Sequence, residues 1–365
     1  MPTRVPEKPE TGLCVECAER EATLDIRNRR LCATCFSRYV NSKVLKRMES
    51  YRFKARSEDE KDRLLLPISG GVSSLVLLQV LDTQLQKQLA KRNRTAYDLV
   101  VVRVILPEDE GSTSLDQSYE ELKLRFPTHT FLPPPKLQEV FETDDRIERD
   151  LEHLGIKREA EESKETFLQR ITSLATSVTA RADLQSILLQ RLIVSVAQQE
   201  TCAGIVWGHS DSRLAALVLA DVAKGRGGSV SSTIADGPSV YGITFIYPMR
   251  DLFKTELEAY AREASEPLLA KTAELDGTPS PQPLTVRHTS IDSLLKTYID
   301  SQGEKYPGIM ANVVRTASKL QGRQASAIEG ACPVCVKPIV HSEGLAISDS
   351  ILCYGCDRMK LDIRS

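Results

Sequence analysis

Eight of the nine cysteines in this chain stand in four pairs, each with two residues between partners. Cys14 and Cys17 are followed after fourteen residues by Cys32 and Cys35; Cys332 and Cys335 are followed after seventeen by Cys353 and Cys356. Two intervening residues let both thiolates of a pair turn to one metal ion, and two pairs complete a tetrahedral shell of sulfurs. The spacing predicts two structural zinc ions. A closed shell leaves no position open for chemistry, and each ion supplies folding energy to a segment too short to build a core. Redox-active pairs and sulfur carriers are the other chemistries open to such thiols. Spacing leaves open whether the pairs combine within each end of the chain or across its ends. His341, between the last two pairs, reads as a loop histidine rather than a fifth ligand. The ninth cysteine, Cys202, precedes an apolar run and reads as a small hydrophobe; a reactive thiol there would need an electropositive, partly exposed setting.

The second candidate is Ser69-Gly70-Gly71-Val72-Ser73-Ser74, set between an apolar run at 63–68 and an apolar helix. Glycines admit close backbone approach, and a helix N-terminus offers free N–H groups, which together make a phosphate cradle. The segment lacks the Gly-Lys-Ser/Thr ending of a Walker A loop. An ordinary strand-to-helix turn is the competing reading. A third candidate is electrostatic. Between Arg27 and Arg56 stand ten basic residues and one acid, Glu49. Arg29, Arg30, Lys43, Lys46, Arg47, Arg52, Lys54 and Arg56 form a candidate RNA-binding patch, against the plainer reading of a solvated helix face. Lys224-Gly225-Arg226 reads either as a further phosphate contact or as a helix end. Residues 139–165 hold eleven acids and five bases, which would repel RNA and read as a solvated surface or a protein-binding one.

These groups need a frame. Apolar runs at 63–68, 98–106, 129–132, 203–207 and 241–247 read as strands, and helices are expected near 37–56, 75–81, 114–126, 166–200 (with a possible break), 209–224 and 251–264. Strands alternating with helices predict an α/β fold with a parallel sheet covered on both faces. The expected organisation is a disordered tail at 1–12, a zinc module with a basic helix at 13–60, an α/β domain at 61–270 with an acidic insertion at 136–165, a Pro/Gly-rich linker at 271–289, and two helices with a second zinc module at 290–365. The chain has 365 residues, 41% hydrophobic and 27% charged, with a formal net charge of −2; that balance is ordinary for a globular protein and names no partner. The first residues lack the apolar region of a signal peptide, and no apolar run is long enough to span a membrane. A reducing, cytosolic setting is expected, with no membrane contact.

The hexapeptide at Ser69–Ser74 resembles the Ser-Gly-Gly-x-Asp-Ser signature of the PP-loop ATP pyrophosphatases. Gly208-His209 resembles the start of a second element, Gly-His-Asn-x-x-Asp, of their tRNA-thiolating branch, and Tyr247-Pro248-Met249-Arg250 resembles the Pro-Leu-Arg stretch that follows it. With the cysteine modules, the order of elements over about residues 13–365 is similar to the cytoplasmic tRNA 2-thiolation protein 2 family. That resemblance implies a PP-loop core, a part in 2-thiolation of the wobble uridine of cytosolic tRNAs, and a heterodimer with a catalytic paralogue. It also implies sulfur supplied by a thiocarboxylated ubiquitin-related modifier.

The departures from the signature point away from catalysis by this chain. Ser73 stands at the loop aspartate, and a neutral hydroxyl cannot bring a carboxylate's charge to Mg²⁺. Ser210 and Arg213 stand at the Asn and Asp positions of the second element. Residues 166–200 and 251–331 carry none of the core cysteines that handle sulfur or an iron–sulfur cluster in the catalytic paralogue. The expectation is a pseudoenzyme subunit with no iron–sulfur cluster of its own. In it Ser69, Gly70, Gly71, Ser73, Ser74, Gly208 and His209 form a degenerate nucleotide loop whose hold on ATP is doubtful. An independently active thiolase and a zinc-stabilised scaffold are the alternatives.

Overall fold

The computed structural model describes residues 12–51, 61–263, 289–320, 328–340 and 351–364. Nearly all of the expected tail and of the expected linker, and Arg52, Lys54, Arg56 and His341, lie outside them. The chain opens with a hairpin of β1 (Leu24–Ile26) and β2 (Arg29–Leu31). Its turn puts Arg27 and Asn28 both in the left-handed region, the backbone that two-residue hairpins require. Helix α1 (Ala33–Arg47) buries Phe36, Val40 and Val44, the stripe expected from their spacing.

The core follows as β3 (Asp62–Pro67), α2 (Val72–Arg92), β4 (Tyr97–Val102), α3 (Thr113–Arg125), β5 (Thr130–Phe131), α4 (Val140–Thr143) and α5 (Ile147–Glu152). Next come α6 (Lys164–Leu174), α7 (Val178–Gln199), β6 (Gly204–Val206), α8 (Asp211–Ala223), α9 (Val230–Ile234), β7 (Gly237–Pro238), β8 (Thr244–Ile246) and α10 (Lys254–Glu263). The C-terminal part holds α11 (Ile291–Lys305), α12 (Pro307–Lys319), the hairpin of β9 (Ile328–Ala331) and β10 (Pro338–Val340), and α13 (Tyr354–Leu361).

The six-stranded sheet runs β5-β4-β3-β6-β8-β7 and is parallel except for β7 against β8. Strand order reverses between β3 and β6. Ligands of open α/β sheets bind at the carboxyl ends of strands that flank such a reversal. Side-chain alternation splits the interior into two cores. Leu65, Val100 and Val102 face one core with α7, α8, α12 and the C-terminal cysteines. Leu64, Leu66, Leu99 and Val101 face the other with α1, α2, α10 and the N-terminal cysteines. The two cysteine modules therefore pack on opposite faces of the sheet.

The segment expected as a solvated acidic insertion is instead part of the first core. Leu137, Val140, Phe141, Ile147, Leu151, Leu154 and Ile156 are all buried. Two of its acids also point inward: Asp144 and Asp150 pair at 2.6 and 2.8 Å with Arg191, which is 1% exposed. A buried guanidinium needs anionic partners, and this segment supplies them. The expected break in the long helix falls at Ala175–Ser177, where Ser177 caps α7 by accepting from the Ala180 N–H.

Candidate metal centres and the cavity at the strand crossover

The structure gathers the cysteines within each end of the chain: Cys14, Cys17, Cys32 and Cys35 in one cluster, Cys332, Cys335, Cys353 and Cys356 in the other. In each, the sulfurs all lie within 4.8 Å of one another. The Cys17 and Cys32 sulfurs are 3.9 Å apart and those of Cys335 and Cys353 are 3.6 Å apart. Tetrahedral sulfurs about 2.3 Å from zinc would sit roughly 3.8 Å apart, so the residues fit the ion. Both clusters are built alike. The first pair closes a knuckle, with Ala18 N–H donating to Cys14 O and Val336 N–H to Cys332 O; Ala18 and Val336 take positive φ to do so. The second pair starts a helix: Cys32 and Cys353 are the N-cap residues of α1 and α13. Helix N-termini favour thiolate. Burial raises the Cys14 thiol, yet backbone N–H groups of Cys17, Cys32 and Glu16 outweigh it and bring it to about 6.

What surrounds the two clusters differs. At the C-terminal one, Arg226 Nη2 donates to the Cys356 sulfur at 3.4 Å and pairs with Asp183 at 2.7 Å. Asp183 also meets Lys224 at 2.8 Å, and Lys224 meets Asp292 of α11 at 2.9 Å. Arg191 Nη1 donates to the carbonyl of Pro333 at 3.0 Å, and Lys337 pairs with Asp221. A Cβ on Gly225, whose φ is +81°, would lie 2.2 Å from the Tyr354 ring. The Lys224-Gly225-Arg226 cluster is thus a socket for the C-terminal module, not a phosphate contact: its cations are buried against acids.

The N-terminal module is tied to its neighbours by the arginines of the basic patch. Arg27 donates to both carboxylate oxygens of Glu256 at 2.7 and 2.9 Å, and its guanidinium lies 3.8 Å from the Phe253 ring centre. Arg47 pairs with Asp251 at 2.7 Å and Asp236 at 3.4 Å, and Arg29 with Glu16 at 2.6 Å. Arg30 donates to the Ala22 carbonyl at 3.5 Å, and Lys43 lies over Tyr39. Lys46 is exposed. Arg29 and Arg47 are therefore already neutralised by acids of this chain, which the charge run in the sequence did not reveal.

Between the modules, the loop Ser69–Ser74 ends β3, and Gly208-His209 ends β6. They border a cavity of about 440 Å³. Gly70 takes φ +81°, and the Ser74 hydroxyl donates to the Gly71 carbonyl at 2.9 Å. A Cβ on Gly208 would stand 2.8 Å from Ser74 Cα, so only glycine lets the two loops touch. Ser73 also lines the cavity. His209 stacks between Trp207 (5.4 Å) and Tyr247 (5.8 Å). Burial and nearby Arg213 hold its imidazolium form down, to about 3, so the ring is neutral. Among the described residues, neither His209 Nδ1 nor Trp207 Nε1 has a hydrogen-bond partner. Arg103, Arg213, Lys254 and Lys296 also line the cavity. Of these, sequence reasoning singled out only Arg213; the others come from the residue after β4, from α10 and from α11, and topology alone brings them together. Cys202 is buried, and burial raises its thiol to about 11, the state of an inert hydrophobe.

A parallel-sheet PP-loop-type core carrying two four-cysteine centres is the class these features define. The chain belongs to the cytoplasmic tRNA 2-thiolation protein 2 family. The model of that family matches residues 290–351. The Aspergillus clavatus member is 40% identical over 98% of this chain and 100% of its own length. The Neosartorya fischeri member is 39% identical over the same shares. Among solved structures, the U34-tRNA thiolase NcsA from Methanococcus maripaludis, with its 4Fe–4S cluster, has a similar fold. It matches at a TM-score of 0.55 and 16% identity, over 89% of this chain and 90% of that one. Among the described residues, no helix is long and apolar enough to cross a membrane.

Proposed function

We propose that this chain takes part in 2-thiolation of the tRNA wobble uridine in the cytosol as a non-catalytic subunit. On this reading it joins a catalytic PP-loop paralogue and tRNA, and the ubiquitin-related modifier delivers sulfur to the complex rather than to this chain. Two zinc ions held by the eight paired cysteines are structural.

The observation that carries the reading is a crossover cavity that persists without the chemistry of a thiolase. Ser73 stands in its phosphate loop where an aspartate is expected, and Arg213 where the second element has an acid. Cys202, the one cysteine outside the centres, is buried. Neither a Mg²⁺-anchoring carboxylate in the loop nor a pair of core thiols is on hand. For tRNA, Lys43, Lys46 and the cations at 52–56 are the contacts proposed, since Arg29 and Arg47 face acids within the chain.

Native mass spectrometry tests the reading: the chain alone, then mixed with the catalytic paralogue and tRNA. Two zinc ions, a one-to-one heterodimer and a ternary complex are expected. A chain that stays alone, carries an iron–sulfur mass and converts ATP to AMP would overturn it in favour of an independent thiolase.

A further inference from the structure

The cations of the N-terminal module are conspicuous in the sequence, yet the fold neutralises several of them: Arg27, Arg29 and Arg47 each meet a carboxylate of this chain. The C-terminal module shows the opposite. We propose that the exposed side of α13 docks single-stranded RNA, with an unpaired base stacked on Tyr354 and the backbone phosphates met by Arg358, Lys360 and Arg364. This contact rests on the reading that the chain meets tRNA, and it lies on the other face of the sheet from Lys43 and Lys46.

Helix α13 buries Gly355, Cys356 and Met359. Tyr354, Arg358 and Leu361 then fall one above another on its outer side, four and three residues apart, the spacing of neighbours on a helix face. Tyr354 is 68% exposed and Leu361 84%; Arg358, Lys360 and Arg364 are exposed too. Among the described residues, the side chains of these three cations have no ion pair or hydrogen bond, and Asp357 is the only acid within the helix. Arg181 extends the band. Its guanidinium donates to the carbonyls of Thr172 and Ala175 at 3.2 and 3.3 Å, and Ala175 bridges Ile363, the neighbour of Arg364. Cations without acid partners are what a phosphate backbone needs.

The Tyr354 ring is set for stacking. One side lies on Gly225, where a Cβ would stand 2.2 Å from it, and the rest faces solvent. A ring held in this way loses little freedom when a base stacks on it. An exposed aromatic flanked by free cations binds single strands without reading their sequence, whereas a duplex keeps its bases stacked on one another. Free lysine beside the ring favours RNA over a protein partner, since protein contact surfaces are depleted in lysine. The cysteines of the C-terminal centre lie under the inward side of the helix, and Arg226 Nη2, 3.4 Å from the Cys356 sulfur, offsets part of their charge.

Fluorescence anisotropy of the full, zinc-loaded chain tests this, with an unstructured RNA of about twelve nucleotides, alone and annealed to its complement. The single strand is expected to bind at least about tenfold more tightly than the duplex. Tyr354→Ala should weaken it about tenfold, while Tyr354→Phe, which keeps the ring, stays within about twofold. Arg358→Gln combined with Lys360→Gln should lower the slope of log affinity against log salt by about 1.4, the share of two phosphates on a single strand. Where Tyr354→Ala releases the C-terminal metal, this exposed pair carries the test. Duplex bound as tightly as single strand, or affinity and slope unchanged in these variants, would overturn the proposal. So would loss of the heterodimer in variants whose RNA binding is unchanged, which would give this face to a protein. Whole tRNA separates the two readings: tRNA bound normally by the α13 variants sinks the α13 contact alone, and no tRNA binding by the parent chain, with or without the paralogue, sinks both.

Discussion

The two cysteine centres share ligands, knuckle and helix start, yet they sit differently. The N-terminal one has its cysteines in the second core with α1, α2 and α10, and its module is tied on by arginines that bind Glu256 and Asp251. The C-terminal one has its cysteines inside the first core, one sulfur against Arg226, and its knuckle carbonyl on the buried Arg191. Ligand chemistry lets each centre hold a metal; packing decides how much else depends on it. A four-thiolate zinc shell carries two net negative charges. At the C-terminal centre a buried guanidinium offsets part of that charge, and Asp183 and Lys224 pass the contact on to α11, a wall of the cavity.

The largest test of this contrast is loss of one ion at a time. Cys14→Ser and Cys356→Ser should each lose one metal by native mass spectrometry. Only Cys356→Ser should bring down the whole core, because Arg191, Arg226 and Lys224 would lose their setting; a cost of ~5 kcal/mol or more is comparable to the stability of a domain. Cys14→Ser should keep its main melting transition and open only its own module. Equal melting of the two variants would break the comparison. A smaller effect is expected for Arg226→Gln. A group that supports a ligand from behind typically contributes 10–100-fold in metal affinity, so a chelator should strip the C-terminal ion roughly that much more readily while the N-terminal ion stays. Loss of both ions together would mean that Arg226 acts on folding in general.

The same contrast shows what the sequence could and could not convey. Cysteine spacing announced both centres, and the apolar runs announced the parallel sheet, because both signals are local. The packing of the acidic segment was hidden. Four of its buried apolar residues fall in helices of four and six residues (Val140–Thr143, Ile147–Glu152), too short to show a period, and its acids masked them. The partner of Asp144 and Asp150 lies more than forty positions away at Arg191. The basic run from Arg27 to Arg56 looked like one patch, since Asp236, Asp251 and Glu256 approach it only through the fold. The cavity cations were invisible for the same reason: Arg103, Lys254 and Lys296 come from three separate parts of the chain.

On the N-terminal side, Arg27→Ala should cost ~1–2 kcal/mol, because it leaves the buried Glu256 carboxylate without its bidentate partner. The expected sign is earlier protease cleavage within 12–47, with the C-terminal centre still resistant. Cleavage of both modules at once would show that they unfold together.

The smallest effect is one of pH, and it lies beside the same arginine. Asp211, 1% exposed at the start of α8, has its carboxyl pushed up to about 7, chiefly by burial and further by Glu256, against hydrogen bonds from Ser212 and the charge of Arg27. Between about pH 4 and pH 7 the unfolded chain therefore holds fewer protons at this site than the folded one. Stability should fall as pH rises through that window and level off above it. Asp211→Asn, which cannot ionise, should flatten that slope: about equal to the parent at pH 4 and more stable than it at pH 8, in denaturant titrations. Arg27→Ala should act oppositely, by removing a charge that favours the carboxylate and carrying the decline to higher pH. If the slope is the same in all three proteins, Asp211 is ionised in the fold at neutral pH, and the N-terminal contact is held by Glu256 alone.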